Sequence, residues 1–382
     1  MKKYFLLIFV ALSFHCYSQE LNPIITAFPS LRIPTGSRGL GMGDCGVASA
    51  NGNQQLYYNI AKSAFTQHFH QVSASYTPWL SGITNDTKLM NVGYLANISN
   101  TSEFGLSLSY LSLGTISTRD NNGATIAQNK SSEYNLLASY ALQIAPNASL
   151  GVGLKFLGSQ PGQVLDPINF TTIPKHIFTM AADVSYYQRF DLDGETNRLE
   201  IGISITNIGP KVNLQGNDQK TFLPTNLGMG ISYTNRHSET GNQFTIALDA
   251  NKLLIPTPPV YDMGGNIIAG KDPNRSVINA LFSSFGDAPG GFKEELREIR
   301  INAGVEFVFD RKFSLRGGLS LENWFKGNRK FAAFGVGYAG TINDQSWGLD
   351  MHYLVPFSTI TAVSPFQNNW GFTLKFSIGS LE

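Results

Sequence analysis

Apolar and polar residues alternate with a period of two over most of the chain, from about Phe69 to the C-terminus. Such a period places alternate side chains on opposite faces of a β-sheet, so each run predicts a strand. One face of each predicted strand is apolar, and the other is mainly glycine, serine, threonine and asparagine. The clearest runs have these apolar positions: Phe104, Leu106, Leu108 and Tyr110; Leu199, Ile201, Ile203 and Ile205; Phe313, Leu315, Leu319 and Leu321.

The connections between the predicted strands alternate between long and short. Long excursions at one end and tight turns at the other are typical of outer-membrane β-barrels, and segments of about ten residues give about fourteen strands here. An even number of strands, with both termini periplasmic, places the long connections, including the loop 251–296, outside the cell and the short ones in the periplasm. The long connections are residues 77–88, 114–130, 159–175, 209–221 and 251–296, the short ones are 99–101, 145–147, 191–197, 235–241 and 310–311, and the later strands are 226–234, 243–250, 297–309, 312–321, 330–338, 346–353 and 370–378.

Composition supports a membrane barrel over a soluble β-sandwich. Charged residues make up 14% of the chain and hydrophobic residues 42%; the charged fraction is low for a soluble domain, whose outer face would carry more charge. Beyond the extreme N-terminus no apolar run is long enough for a membrane helix. The net charge of +1 provides no basic field for nucleic acid. The sequence therefore predicts an all-β, antiparallel transmembrane barrel of about 14 strands in the outer membrane.

The N-terminus predicts export. Residues 1–18 have the form of a secretory signal peptide, with two lysines followed by an apolar stretch over residues 4–14. Cys16 leaves a lipoprotein as an alternative, although His15 before it is a poor lipobox residue. Once the peptide is removed, Cys45 is unpaired, and no intramolecular disulfide can form.

Residues 19–68 precede the predicted barrel of residues 69–382 and are the candidate plug. Side chains can fill a barrel of about eight strands, so a wider one needs another segment inside it, and residues 19–68 are Gly-rich and irregular. Inward-facing charges of both signs predict internal ion pairs that brace the wall or hold a plug, whereas a diffusion pore more often has a ring of one sign. These charges are Lys155, Asp183, Glu200, Asp249, Arg300, Glu306, Arg316, Asp350 and Lys375.

The last predicted strand contains a candidate assembly signal. Its outward face is apolar, and residues 369–376 resemble the polar-x-Gly-x-x-apolar-x-aromatic signal that the barrel-assembly machinery recognises, although the chain continues to residue 382. The barrel-assembly machinery and outer-membrane lipid are therefore predicted partners. The residues that carry the signal are Asn369, Gly371, Leu374 and Phe376.

The sequence motifs do not support a catalytic, cofactor or metal site. Residues 41–46 fit G-x-G-x-x-G, but a dinucleotide site needs a strand before the motif and a helix after it, so these glycines are predicted to let the plug turn tightly. No G-x-S-x-G motif occurs. His68 and His70 lack a third metal ligand nearby. We predict a protein that is not an enzyme and has no cofactor or metal.

The long connection 251–296 is the most distinctive segment. Its first part is stiffened by prolines, and residues 293–298 are predicted to form a short helical turn. Aromatic residues in an exposed loop must pack against the barrel rim or bind a partner, and the pattern leaves both interpretations open. The candidate partner-binding residues are Pro256, Pro258, Pro259, Tyr261, Phe282, Phe285, Asp287, Pro289 and Phe292.

Five segments together resemble the PorV family, the outer-membrane barrels of the Bacteroidetes type IX secretion system. In addition, residues 58–62 are similar to the Asn-Pro-Ala hatch motif of the wider FadL fatty-acid transporter family, with Ile60 in place of the proline. The resemblance implies a FadL-like barrel with a plug that includes Arg32, Arg38, Gly41, Gly43, Asp44 and Asn59. The five segments are 27–33 (AFPSLRI), 38–44 (RGLGMGD), 251–261 (NKLLIPTPPVY), 284–295 (SFGDAPGGFKEE) and 322–329 (ENWFKGNR).

The resemblance also implies a function and partners. PorV-type proteins dock beside the translocon SprA (Sov), capture the C-terminal signal domains of folded cargo, and pass the cargo to an attachment complex of PorU, PorQ and PorZ. A shuttle subunit that binds cargo is thus the first hypothesis. A FadL-type importer of a hydrophobic small molecule is the alternative, and a structural relative such as PorQ is a third.

Overall fold

The computed structural model describes residues 21–66, 68–119, 122–160, 163–165, 172–174, 176–193, 196–213, 220–237, 239–343, 345–357, 364 and 366–380. Fourteen antiparallel strands close into one barrel, which confirms the predicted fold class. The barrel strands are β1 (His68–Pro78), β2 (Lys88–Ser99), β3 (Ser102–Arg119), β4 (Thr125–Ala145), β5 (Ala148–Gln160), β8 (Ile177–Leu192), β9 (Asn197–Ile208), β10 (Asn226–Arg236), β11 (Gln243–Leu253), β14 (Arg300–Phe309), β15 (Phe313–Leu321), β16 (Lys330–Ile342), β17 (Gln345–Pro356) and β18 (Asn369–Ser380).

Each barrel strand pairs with the next one along the chain, and β1 pairs with β18 to close the sheet. Two small hairpins lie in the connections. They are formed by β6 (Gln163–Leu165) with β7 (Thr172–Pro174), and by β12 (Val260–Tyr261) with β13 (Ile267–Ala269). Because β11 pairs directly with β14, the whole segment 254–299 projects from one junction of the wall.

The predicted register is confirmed, with apolar side chains outside and polar side chains inside. In β15, Leu315 and Leu319 are exposed on the outer face, while Arg316 and Ser320 are buried in the lumen. In β18 the outer positions of the predicted assembly signal, including Leu374 and Phe376, are likewise exposed. Asn369 and Gly371 of that signal face inward and are buried.

The long and short connections lie at opposite ends of the barrel, as predicted. We call these the loop end and the turn end. The boundaries of several predicted elements were wrong; the strands predicted at 330–338 and 346–353, for example, extend to Ile342 and Pro356. Residues 114–119 and 125–130 belong to β3 and β4, because the sheet continues past the apolar band where alternation no longer marks it. Residues 297–299 are not in β14, which begins at Arg300, because the helix Phe292–Arg297 precedes it.

The described part of the plug, residues 21–66, lies inside the barrel. At the loop end the Asn22 N–H donates to the Phe325 carbonyl at 3.0 Å, and at the turn end Gln143 Nε2 donates to the Ala64 carbonyl at 2.6 Å. The plug contains 3₁₀ helices at Pro29–Arg32, Gly52–Gln54 and Ile60–Phe65 and helices at Ser37–Gly41 and Gln55–Tyr58.

This path corrects the expectation that both termini lie on the periplasmic side. β18 does end at the turn end, but Asn22 lies at the loop end, because the plug passes through the whole lumen before β1 begins. The predicted signal peptide, residues 1–18, lies outside the described residues. Among the described helices, none is long and apolar enough to span a membrane.

Phe376→Asp tests the assembly signal on β18. Phe376 faces lipid, opposite Val72 on β1 and Trp347 on β17. A carboxylate there costs up to about 2 kcal/mol, depending on depth, and removes the aromatic of the signal. We expect the variant to be lost from the outer membrane, measured as the amount of heat-modifiable barrel in isolated membranes.

Phe376→Leu is the matched control, because it keeps an apolar side chain against lipid but removes the aromatic ring. It should insert better than Phe376→Asp. Normal abundance of the Phe376→Asp barrel would contradict the assignment.

Candidate functional site

The plug is fixed to the wall by a chain of alternating buried charges. Arg38 of the plug contacts Glu306 at 2.6 Å, and Arg316 also contacts Glu306 at 2.6 Å. Arg316 also contacts Asp350 at 2.8 Å, and Lys375 contacts the same carboxylate at 2.6 Å. The plug thus supplies one end of a network whose other members belong to β14, β15, β17 and β18.

Two further ion pairs hold other parts of the plug. Asp44 contacts Arg300 of β14 at 2.7 Å and accepts a hydrogen bond from the Tyr58 hydroxyl at 2.9 Å. Lys62, near the end of the plug, contacts Glu200 of β9 at 2.7 Å. Since buried charges are stable only when paired, these contacts hold the plug on several sides of the lumen.

The remaining predicted charges are also satisfied inside the barrel. Asp249 accepts the backbone N–H groups of Gly46 and Val47 at 2.6 and 2.9 Å. Lys155 pairs with Asp183 within the wall at 2.8 Å. Internal ion pairs are therefore present for eight of the nine predicted inward-facing charges, and the exception, Asp249, holds the plug through backbone N–H groups instead.

The glycines of the G-x-G-x-x-G motif allow close packing of the plug. A Cβ atom at Gly41 would lie 2.9 Å from the Cα atom of Gly335 in the wall. Gly43 has a φ of 71°, a conformation that favours glycine. The structure places both residues where the plug backbone turns against β15 and β16, as the sequence predicts, and not in a strand–turn–helix frame.

Asn59 of the hatch-like motif organises the plug backbone. Its Oδ1 atom accepts the Ala61 N–H at 3.1 Å and caps the 3₁₀ helix Ile60–Phe65. Its Nδ2 atom donates to the carbonyls of Val47, in the plug, and Tyr186, in the wall, at 2.9 and 3.0 Å. Asn59 thus joins two turns of the plug to β8.

Space remains on both sides of the plug. On the loop side a cavity of about 70 Å³ is lined by Arg32, Asp44, Tyr57, Glu322 and other side chains, which is room for water rather than for a large ligand. At the turn end a wider cavity of about 910 Å³ is open. We call the latter the turn-end vestibule.

The long loop is clamped to the rim by charges. Lys252, in β11, contacts Glu295 at 2.9 Å and Glu298 at 2.5 Å. Lys326, in the connection after β15, contacts Glu294 at 2.6 Å and Glu298 at 3.0 Å. We call these five residues the loop clamp. It fixes the helix Phe292–Arg297 to two separate positions on the rim.

The plug also takes part in this attachment. Asn22 Nδ2 donates to the Pro258 carbonyl and to Glu294 Oε1, both at 3.1 Å. Arg32 contacts Glu322 at 3.2 Å, and Glu322 also contacts Arg329 at 2.7 Å. Plug, long loop and rim therefore form one connected polar structure at the loop end.

The predicted partner-binding residues divide into buried and exposed groups. Pro256 is buried, as is Asp287, whose Oδ1 atom accepts the Thr257 N–H at 3.4 Å. Pro258, Pro259 and Pro289 are half-buried. The exposed group is Tyr261 (50% exposed), Phe282 (78%), Phe285 (53%) and Phe292 (77%).

We call Phe282, Phe285 and Phe292 the loop aromatics. The base of the loop does fold over its own rim, and the Phe285 ring contacts that base, with its centroid 5.8 Å from Lys252 Nζ. Phe282 and Phe292 are the most exposed of the three. Sequence reasoning missed two exposed neighbours, Ile278 and Leu296. Each lies four residues from a loop aromatic on the helix Val277–Ser283 or Phe292–Arg297, and that spacing on a predicted helix is the signal that could have identified them.

Histidine and cysteine side chains are engaged in structural contacts. His70 Nδ1 lies 2.9 Å from the Tyr94 hydroxyl, and His68 Nδ1 lies 3.2 Å from the Gly379 carbonyl. Cys45 is buried beside Ala247. Within the described parts of the chain, no group of three or more His, Cys, Asp or Glu residues could hold a metal ion.

Comparison with known proteins gives a family match and a shared fold. The family model "Type IX secretion system protein PorV" matches residues 16–260. No curated protein is significantly similar to the chain. Among solved structures, the toluene transporter TbuX of Ralstonia pickettii is 9% identical, with 91% of this chain and 98% of that chain covered and a TM-score of 0.51.

Two other solved barrels are similar over nearly the whole chain. The toluene transporter TodX of P. putida is 9% identical, with 91% and 99% coverage and a TM-score of 0.50. A FadL homologue of Pseudomonas aeruginosa is 12% identical, with 93% and 98% coverage and a TM-score of 0.43. At such identities the likeness to the two toluene transporters shows the FadL-like fold alone.

Arg38→Ala tests whether ion pairs hold the plug, with Cys45 as a natural reporter. Loss of one partner of a buried pair costs about 3–5 kcal/mol, so the plug should loosen and expose the Cys45 thiol. We expect Cys45 to react slowly with a maleimide in the wild type and much faster in Arg38→Ala, measured by the mass of the purified barrel.

Lys312→Ala is the control, because it removes a cation from an exposed pair with Asp310 at the turn end. It should leave the labelling rate of Cys45 unchanged. Equal labelling of the wild type and Arg38→Ala would show that Arg38 does not hold the plug.

The pH dependence of the loop should be governed by two carboxylates with opposite shifts. Burial, together with the charges of Glu295 and Glu298, raises the pKa of Asp287. A raised pKa means that the folded loop holds the proton more tightly than the unfolded loop, so its stability falls as pH rises through that pKa. Asp287→Asn should therefore increase amide-exchange protection of residues 286–298 at pH 8.

Asp262 in the β12–β13 hairpin is the matched comparison. Hydrogen bonds from the Asn266 side chain and backbone lower the pKa of Asp262, so the stability that its carboxylate gives is present at neutral pH and is lost as pH falls. Asp262→Asn should reduce protection of residues 260–269 at pH 7. Lower protection of residues 286–298 in Asp287→Asn than in the wild type at pH 8 would contradict a raised pKa of Asp287 in the folded loop.

Proposed function

The chain belongs to the PorV family and is an outer-membrane component of the type IX secretion system, and we propose that it binds the C-terminal signal domains of cargo through its long loop. In this role it receives cargo at the translocon SprA (Sov) and transfers it to the attachment complex of PorU, PorQ and PorZ. The barrel carries no catalytic step. It positions a protein-binding surface at the cell exterior.

The observation that carries the proposal is the exposure of the loop aromatics on a fixed base. Phe282 and Phe292 are 78% and 77% exposed, although the loop clamp holds the helix Phe292–Arg297 to the rim. Large exposed apolar side chains in a soluble segment are typical of protein interaction sites. A pre-ordered loop also loses less conformational entropy when it binds.

The buried candidates have a supporting part in this proposal. Asp287 and Ala288 donate their backbone N–H groups to Glu295 Oε1 at 2.7 and 2.9 Å, and Pro256 lies in the buried strand-like segment beneath. These residues set the position of Phe285 and Phe292. The contacts with cargo are assigned to the exposed rings, together with Tyr261, Ile278 and Leu296.

The alternative is a FadL-type importer of a hydrophobic small molecule. The shared fold with barrels described as toluene transporters is the observation that favours it. The way through the lumen, however, is filled by a plug held by buried ion pairs, and the loop-side cavity is lined by charged residues. Import would require these pairs to separate, whereas loop binding requires no change in the lumen.

Phe282→Ala combined with Phe292→Ala tests the loop surface. At the centre of an interface each ring contributes about 2 kcal/mol or more, while neither ring builds the barrel wall. We expect a folded, membrane-inserted barrel that no longer co-purifies with cargo signal domains, and cargo that accumulates in the periplasm. The measurement is affinity isolation from solubilised membranes with mass spectrometry.

Phe357→Ala is the matched control, since Phe357 is an exposed aromatic at the loop end outside the long loop. A second variant, Ala247→Cys, places a thiol beside Cys45 and allows the plug to be locked to β11 by oxidation. The locked protein should still secrete cargo. If the locked plug abolishes function while the loop variant secretes normally, the importer function replaces the proposed one.

A further inference from the structure

Most of the charged side chains that line the turn-end vestibule are cations. It lies between the turn-end side of the plug and the wall, and its volume is about 910 Å³. In the described part of the chain, Glu200 is the single carboxylate residue of its lining. The lysine and arginine residues that line it are Lys62, Arg189, Arg198, Arg236, Arg311 and Lys375.

Among the described residues, three carboxylates pair with four of these cations. Lys62 pairs with Glu200, and Lys375 pairs with Asp350 behind the lining. Arg189 and Arg198 share one carboxylate, that of Asp191. The chain as a whole is almost neutral, with 28 basic and 27 acidic residues, so the excess of positive charge is a local property of this cavity.

Arg189 is held in place with unused hydrogen-bonding capacity. Its guanidinium group lies over the ring of Phe65, with 4.3 Å from Cζ to the ring centroid. Its buried Nε atom makes no hydrogen bond to any described residue, and the nearest oxygen of Asp191 is 3.9 Å away. The stacking fixes the orientation of a donor that lacks an acceptor.

We propose that the turn-end vestibule binds an anionic oxygen group, a carboxylate or a phosphate, presented from the periplasm. Planar guanidinium groups suit both anions because they donate two parallel hydrogen bonds. A concave site of one sign concentrates the field on an entering anion. Short turns of outer-membrane barrels face the periplasm, so this site lies at the opposite end from the loop aromatics and is independent of the proposed cargo site.

The two sources of such a group are an acidic peptide segment and a phosphate-bearing envelope component. Hexaglutamate and inorganic pyrophosphate represent them. Binding of each probe to the purified full-length barrel, in uncharged detergent at low ionic strength, is measured by calorimetry. We expect both the wild type and Lys312→Gln to bind at least one probe, because Lys312 is an exposed turn-end cation outside the vestibule.

Arg189→Gln with Arg198→Gln should weaken that binding about tenfold or more, because charge-assisted hydrogen bonds are lost, and added salt should weaken it in the wild type. Arg189→Gln alone leaves the Arg198–Asp191 pair in place and decides the result if the double variant does not fold. Binding of hexaglutamate alone assigns a peptide source, and binding of pyrophosphate alone assigns a phosphate source. No binding, or equal binding by wild type and folded variants, overturns the proposal.

Discussion

Pairing of buried charge is the interaction on which the rest of this structure depends. A barrel of fourteen strands is too wide for its own side chains to fill, and the plug that fills it carries Arg38, Asp44 and Lys62 into the interior. Each of these finds an opposite charge on the wall at 2.6 to 2.7 Å. Removal of either partner would leave an uncompensated buried charge, so plug and wall stabilise one another.

The same principle extends to the outer surface. Lys252 and Lys326, on the rim, pair with glutamates of the long loop, while Asn22 at the start of the plug donates a hydrogen bond to one of them, Glu294. Polar groups thus hold the loop at its base. The apolar rings are not needed for that attachment, which leaves them available for a partner. Buried ion pairs thus account for both the closed lumen and the ordered surface at the loop end.

The sequence predicted the features that depend on local pattern. Two-residue alternation located the strands and their faces, as in β15 and β18, and mixed inward charges predicted internal pairing. It could not predict which charges pair, because Arg38 and Glu306 are 268 positions apart. The entry of the plug at the loop end also has no local signal, since it depends on contacts such as that of Asn22 with Phe325.

The loop shows the same limit within one segment. Exposed rings and buried scaffold residues have similar local sequence, so Asp287 and Phe285 were equal candidates although one is buried and the other exposed. Asp287 is buried because Thr257 and Glu295 hydrogen-bond to it, and these contacts form only in the folded loop. Strand ends beyond the apolar band, as in β3 and β4, were missed because water on both faces removes the alternation.

The central claim is that this protein works on its outer loop surface and not through its lumen. Photo-cross-linking in living cells tests it most directly, with a photoreactive phenylalanine analogue in place of Phe282 and, for comparison, of Phe357. Adducts at position 282 with exported proteins that carry C-terminal signal domains, and none at position 357, are expected. Adducts at position 282 with lipid alone, in cells that are actively secreting, would contradict the claim.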